Sequence, residues 1–79
     1  MRYRVEHYRA VESPGAPLGY EFSPTGRIDE VEAHDAADAA TAVLLADEQG
    51  ALEPVSYDPG RDLFAVPGED EAVRVSQLA

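Results

Sequence analysis

Only one stretch of this chain repeats with a helical period. From Asp35 onward, Ala36, Ala37, Ala40, Val43 and Leu44 fall on one face of an α-helical wheel, with Ala39, Ala42 and Ala46 as a small-residue flank. Asp35 is placed to cap that helix, and Asp38, three residues on, supplies the acidic member of a capping-box-like pair. Both carboxylates suit the positive end of the helix dipole. Gly50 is the expected left-handed terminator, which gives one helix over about 36–49. Leu45 falls nearly opposite the core stripe, beside Asp38 and Gln49.

With one helix, the rest of the core must come from strands, and the flanking sequence has period two. Tyr3, Val5, His7 and Val11 point one way from residues 2–11, while Arg2, Arg4, Glu6 and Tyr8 point the other. Two prolines and two glycines make 12–19 a loop. "YEF" resumes a strand, and "SPTG" (23–26) has the Pro and Gly placement of a type I turn, folding the chain back into "RIDEVEA" (27–33). Ile28 is out of phase with Val31 and Ala33 there, and a bulge near Asp29 would restore the alternation. After the helix, 55–57 and 63–66 flank the turn "DPGRD", a second turn spans 67–71, and 72–78 alternates as a final strand. The expected fold is α+β in a single domain, residues 1–79: a small antiparallel sheet of about five strands with the helix packed on one face. The other face is left to solvent or to a second copy of the chain.

Charge narrows the function classes. The 79 residues hold 6 basic and 16 acidic side chains, for a net charge of −10, and every basic one is arginine. Arg2, Arg4, Arg9 and Arg27 balance Glu6, Glu12 and Glu21 in the first 27 residues. Beyond them only Arg61 and Arg74 stand against thirteen carboxylates. This balance disfavours direct binding to nucleic acid or to anionic membranes, both of which require clustered cations. The longest apolar run, 42–46, is too short to cross a bilayer. The charged N-terminus lacks a signal-peptide core, so a cytoplasmic location is expected. The chain has no cysteine, no P-loop, no G-x-G-x-x-G and no G-x-S-x-G. It is also short enough that only about 60–65% of its surface is buried on folding, which leaves little wall for an enclosed active site. The expectation is a protein that is not an enzyme and takes no cofactor.

Glu32, His34, Asp35 and Asp38 carry the side chains of a metal site within seven positions. A helix N-terminus favours anions rather than cations, however, and no second histidine lies nearby, so no metal is assigned. The same carboxylates suit a contact surface. Asp29, Glu30, Glu32, Asp35, Asp38, Asp47 and Glu48 would form its acidic part, with Tyr8 and Leu45 as apolar anchors. The expected partner is a basic protein surface. In its sharpest form the chain mimics nucleic acid and blocks a nucleic-acid-handling protein, as small acidic inhibitors of phages and mobile elements do. The alternative is an assembly subunit, a homodimer through the open sheet face, whose acidity serves solubility or life in high salt.

Overall fold

The computed structural model describes residues 1–45, 55–66 and 68–78. Among them the chain forms β1 (Arg2–Glu12), β2 (Tyr20–Glu32), α1 (Ala36–Leu44), β3 (Ser56–Asp58), β4 (Leu63–Ala65) and β5 (Glu71–Gln77). The five strands make one antiparallel sheet in the order β2-β1-β5-β4-β3, with the helix against one face: the expected α+β architecture. Because β2 and β3 lie at opposite edges, the connection through α1 crosses the whole sheet.

The alternation in β1 decides the two faces. Tyr3 and Val5 point toward the helix and are buried, and Val73 of β5 joins them. Fully burying a valine side chain contributes about 1.5–3 kcal/mol, so Val5 and Val73, the two largest fully buried side chains, anchor this small core. The helix contributes alanines. Ala39 and Ala40 are fully buried, while Ala36, Val43 and Leu44 pack partly buried beside them. The packed stripe is therefore 36, 39, 40, 43 and 44, which differs from the one read from the sequence at a single position: Ala37 is exposed and Ala39 takes its place. The helical spacing is kept, with the stripe's edge moved from Ala37 to Ala39.

The helix begins as its sequence requires. Asp35 has extended backbone, and its Oδ1 accepts the Asp38 N–H at 2.8 Å. Asp38 Oδ2 reaches back to the His34 N–H at 3.1 Å. It ends sooner than expected: Leu44 is the last helical residue, and Leu45 caps the helix with its N–H on the Thr41 carbonyl at 2.9 Å. Gly50, the expected terminator, and residues 46–49 lie outside the described residues.

One expected chain reversal does not occur. Thr25 and Gly26 lie inside β2, which runs unbroken past Pro24. Pro24 pairs with Tyr8 and Ile28 with Glu6, so Thr25, Gly26 and Arg27 together stand opposite the single residue His7. Gly26, at φ +89°, takes up the distortion as a bulge. The loop at 13–19 has already turned the chain, closed by Ser13 N–H on the Gly19 carbonyl at 3.0 Å. β1 then offers a partner along the whole length of β2, and that ladder outweighs the local turn chemistry. The irregularity precedes Ile28 instead of following it. Ile28 therefore stays out of phase, 57% exposed on the sheet's second face, while Asp29 takes the inward position beside Val31.

That second face is partly covered by the chain itself. Leu63 and Ala72 are buried there, apart from the main core. Above them Arg74 lies over the Tyr8 ring, with Cζ 5.0 Å from the centroid. Its Nη1 donates to the Tyr8 hydroxyl at 2.7 Å.

Candidate functional site

The residues expected to form one acidic surface are dealt to different places. Asp35 and Asp38 are occupied in capping α1. Asp29 faces the helix side, where its Oδ2 lies 2.7 Å from His7 Nε2 and 3.3 Å from Arg27 Nε. Glu30 and Glu32 lie exposed on the second face, opposite Arg4 and Arg2 in the ladder, and Arg2 Nη2 is 3.8 Å from Glu30 Oε1. Exposed pairs of this kind contribute only about 0–1 kcal/mol. They still place cations among the acids, so β2 presents no uninterrupted negative track. Tyr8, expected as a free anchor, is half-buried under Arg74. Asp47 and Glu48 lie outside the described residues.

One of the expected residues lines a concavity beside α1. A cleft of about 530 Å³ opens at the C-terminal end of α1 and is lined by Leu45, while Tyr8 borders it from β1 with its ring turned to the second face under Arg74. Leu45 is not on the outer face of the helix. As the cap residue it leaves the helical path, is half-buried, and forms an apolar wall with Leu44 and Val66. His7, whose side chain is 12% exposed, stands at the β1 side beside Thr25 and Arg27 of the bulge. Glu69 and Asp70, on the turn between β4 and β5, and Glu71, the first residue of β5, close the opposite side.

One of the two arginines of this cleft has an ion-pair partner within the chain, and the other faces a carboxylate in the sheet. Arg27 is paired with Asp29, and Arg9 stands directly opposite Glu71 in the β1–β5 register. The C-terminal end of α1, with no basic residue in its last turn, adds negative partial charge. The cleft thus combines an aliphatic wall with an acidic lip. Nothing in the sequence pointed to it. "GEDE" (68–71) reads as a solvated turn that would extend an acidic surface with Asp29, Glu30 and Glu32 only if the last strand lay beside 27–34, and β1 lies between them. The approach of His7 to Asp29 spans 22 residues of chain.

A second recess of about 420 Å³ lies on the opposite face, lined by Tyr8, Phe22, Leu63, Arg61 and Arg74 among others. Beside it, on the hairpin of β3 and β4, the Tyr57 hydroxyl donates to Asp62 Oδ1 at 2.6 Å. That bond, reinforced by the charges of Asp62 and Asp58, holds the Tyr57 phenol above its ordinary range. Among the described residues no group of three or more histidines and carboxylates is placed to hold a metal ion, and no helix is long and apolar enough to cross a membrane.

Fold and site together define a small α+β domain with an acidic-lipped cleft beside its only described helix. Comparison with protein-family models, with curated proteins and with solved structures gives no match.

Proposed function

We propose that this chain is a non-catalytic protein-binding module that engages a basic partner surface through the cleft at the end of α1. The observation that supports this reading is the cleft's composition. Leu44, Leu45 and Val66 offer aliphatic contact facing Glu69, Asp70 and Glu71, the pairing of an apolar patch with a charged rim that protein interfaces use. The excess of carboxylates over the whole chain would speed encounter with such a partner and make binding fall with salt.

The narrower form, a nucleic-acid mimic, draws less support. Asp29 is turned inward to His7, while Glu30 and Glu32 sit among arginines on the face away from the cleft. A homodimer through the second face is also less favoured, because Tyr8, Arg61 and Arg74 already shelter Leu63 and Ala72 there, leaving Ile28 exposed. The test is affinity capture from the native host with the wild-type chain and with Glu69→Lys/Asp70→Lys. A basic protein retained by the first, lost by the second, and released as salt rises from about 50 to about 200 mM supports the reading. Equal capture by both, or capture indifferent to salt, overturns it.

A further inference from the structure

β3 and β4 are three residues each, and β4 is joined to β5 only at Phe64↔Val73 and Ala65↔Ala72. The β1–β5 register, by contrast, runs from Tyr3 to Arg9. Backbone pairing alone therefore fastens this hairpin weakly. Side chains fasten its tip instead. Arg74 of β5 donates through Nη2 to the Arg61 carbonyl at 3.0 Å and through Nε to the Asp62 carbonyl at 3.4 Å, and its Nη1 is anchored on the Tyr8 hydroxyl. Arg61 then reaches over the second face to the far edge strand. Its Cζ lies 5.8 Å from the Tyr20 ring centroid and 5.6 Å from that of Phe22, two rings set edge to face 5.6 Å apart.

We propose that the β3–β4 hairpin is a clasp over the second face of the sheet, held shut by Arg61 and Arg74 and opening as one unit while β1, β2 and β5 stay folded. Two further features suit a segment that opens. Asp62 is held at φ +55°, a left-handed conformation that a non-glycine residue keeps only while its surroundings enforce it. Tyr57 packs on Phe64 from an exposed position, with ring centroids 4.6 Å apart, so the hairpin's tie to the main core runs through two half-buried residues, Val55 at its entry and Phe64. Opening uncovers Leu63 and Ala72, which the closed form buries. The clasp is on the face opposite the proposed contact cleft and stands whether or not that reading does.

Native-state hydrogen exchange of the full chain tests it. The amides of Leu63, Phe64 and Ala65 are expected to exchange at least tenfold faster than those at the centre of β1 and β5, through an opening smaller than global unfolding. A cation–π contact at an exposed site corresponds to roughly a two- to fivefold change in an equilibrium, so losing both rings in Arg61→Ala should speed these amides about tenfold further and leave β1 and β5 unchanged. Arg74→Met, which keeps the aliphatic stem, should do the same and also abolish the ring-current shift of the Arg61 side chain. One common exchange rate for all strands overturns the clasp. So does an Arg61→Ala effect that is absent or spread evenly over the sheet.

Discussion

His7 Nε2 lies 2.7 Å from Asp29 Oδ2, joining β1 to β2 at the place where the ladder between them is broken. His7 is the one residue opposite the three of the bulge, and its carbonyl also accepts the Thr25 hydroxyl at 3.3 Å. The side chain and main chain of one residue thus hold both flanks of the irregularity. An ionised Asp29 can only accept, so Nε2 carries the proton. Asp29→Ala strands that half-buried donor and should cost about 1–3 kcal/mol in urea denaturation. Nitrogen-15 shifts of the His7 ring should show the Nε2–H tautomer in the wild type and lose that preference in the variant.

Asp35→Ala removes the acceptor for the Asp38 N–H and should destabilise the fold by about 1 kcal/mol, within the range of 0.5–2 for N-caps. Asp35→Ser should restore most of it. Because Asp38 bonds back to the His34 N–H, Asp35→Ala and Asp38→Ala act on one network, and their combined effect should be smaller than the sum.

The orientation of α1 can be read from its alanines. Ala39 is fully buried against the sheet and Ala37 is exposed. Ala39→Leu should therefore cost about 1–3 kcal/mol by overpacking, whereas Ala37→Leu should stay within about 0.5 kcal/mol of the wild type. Thermal melts of the two variants check this directly, and the opposite ranking would restore the face first read from the sequence.

Tyr57 should be among the last tyrosines to ionise in an ultraviolet titration, because its hydrogen bond to Asp62 raises its pKa in the folded state. A raised folded pKa means that the folded chain holds this proton more tightly than the unfolded one. The stabilisation is therefore complete below the ordinary phenol value and disappears as the pH climbs through the folded one. Asp62→Asn should lower the Tyr57 midpoint toward that ordinary value and flatten the alkaline limb of the stability profile.

Much of the architecture was legible because it depends on local pattern. The change of period at Asp35, the cap itself, the "DPGRD" hairpin and the alternation of the last strand all appear where the sequence places them. "SPTG" misled because turn chemistry is local while strand pairing is not, and a long partner in β1 kept those residues in the sheet. The helix face was misjudged at one residue, Ala37 for Ala39, because neighbouring alanines carry no contrast in hydrophobicity. Its length was overestimated because Leu45 suits a helix as well as a cap. The cleft and the Arg61 contact with Tyr20 and Phe22 join segments far apart in the chain, and no spacing rule reaches them.

The bulge in β2 has a consequence for chains that meet in concentrated solution. β2 is the long outer strand, and among the described residues no strand pairs with its outer row of amides and carbonyls, the natural template on which a foreign strand would grow. The distortion at Thr25–Arg27 splits that row into Tyr20–Pro24 and Ile28–Glu32, and Pro24 has no N–H to offer. Asp29, Glu30 and Glu32 put charged side chains on the second piece, each beside or opposite a basic residue of the chain. An incoming copy finds a short, interrupted ladder in place of a long regular one, which disfavours growth of a foreign strand on this edge.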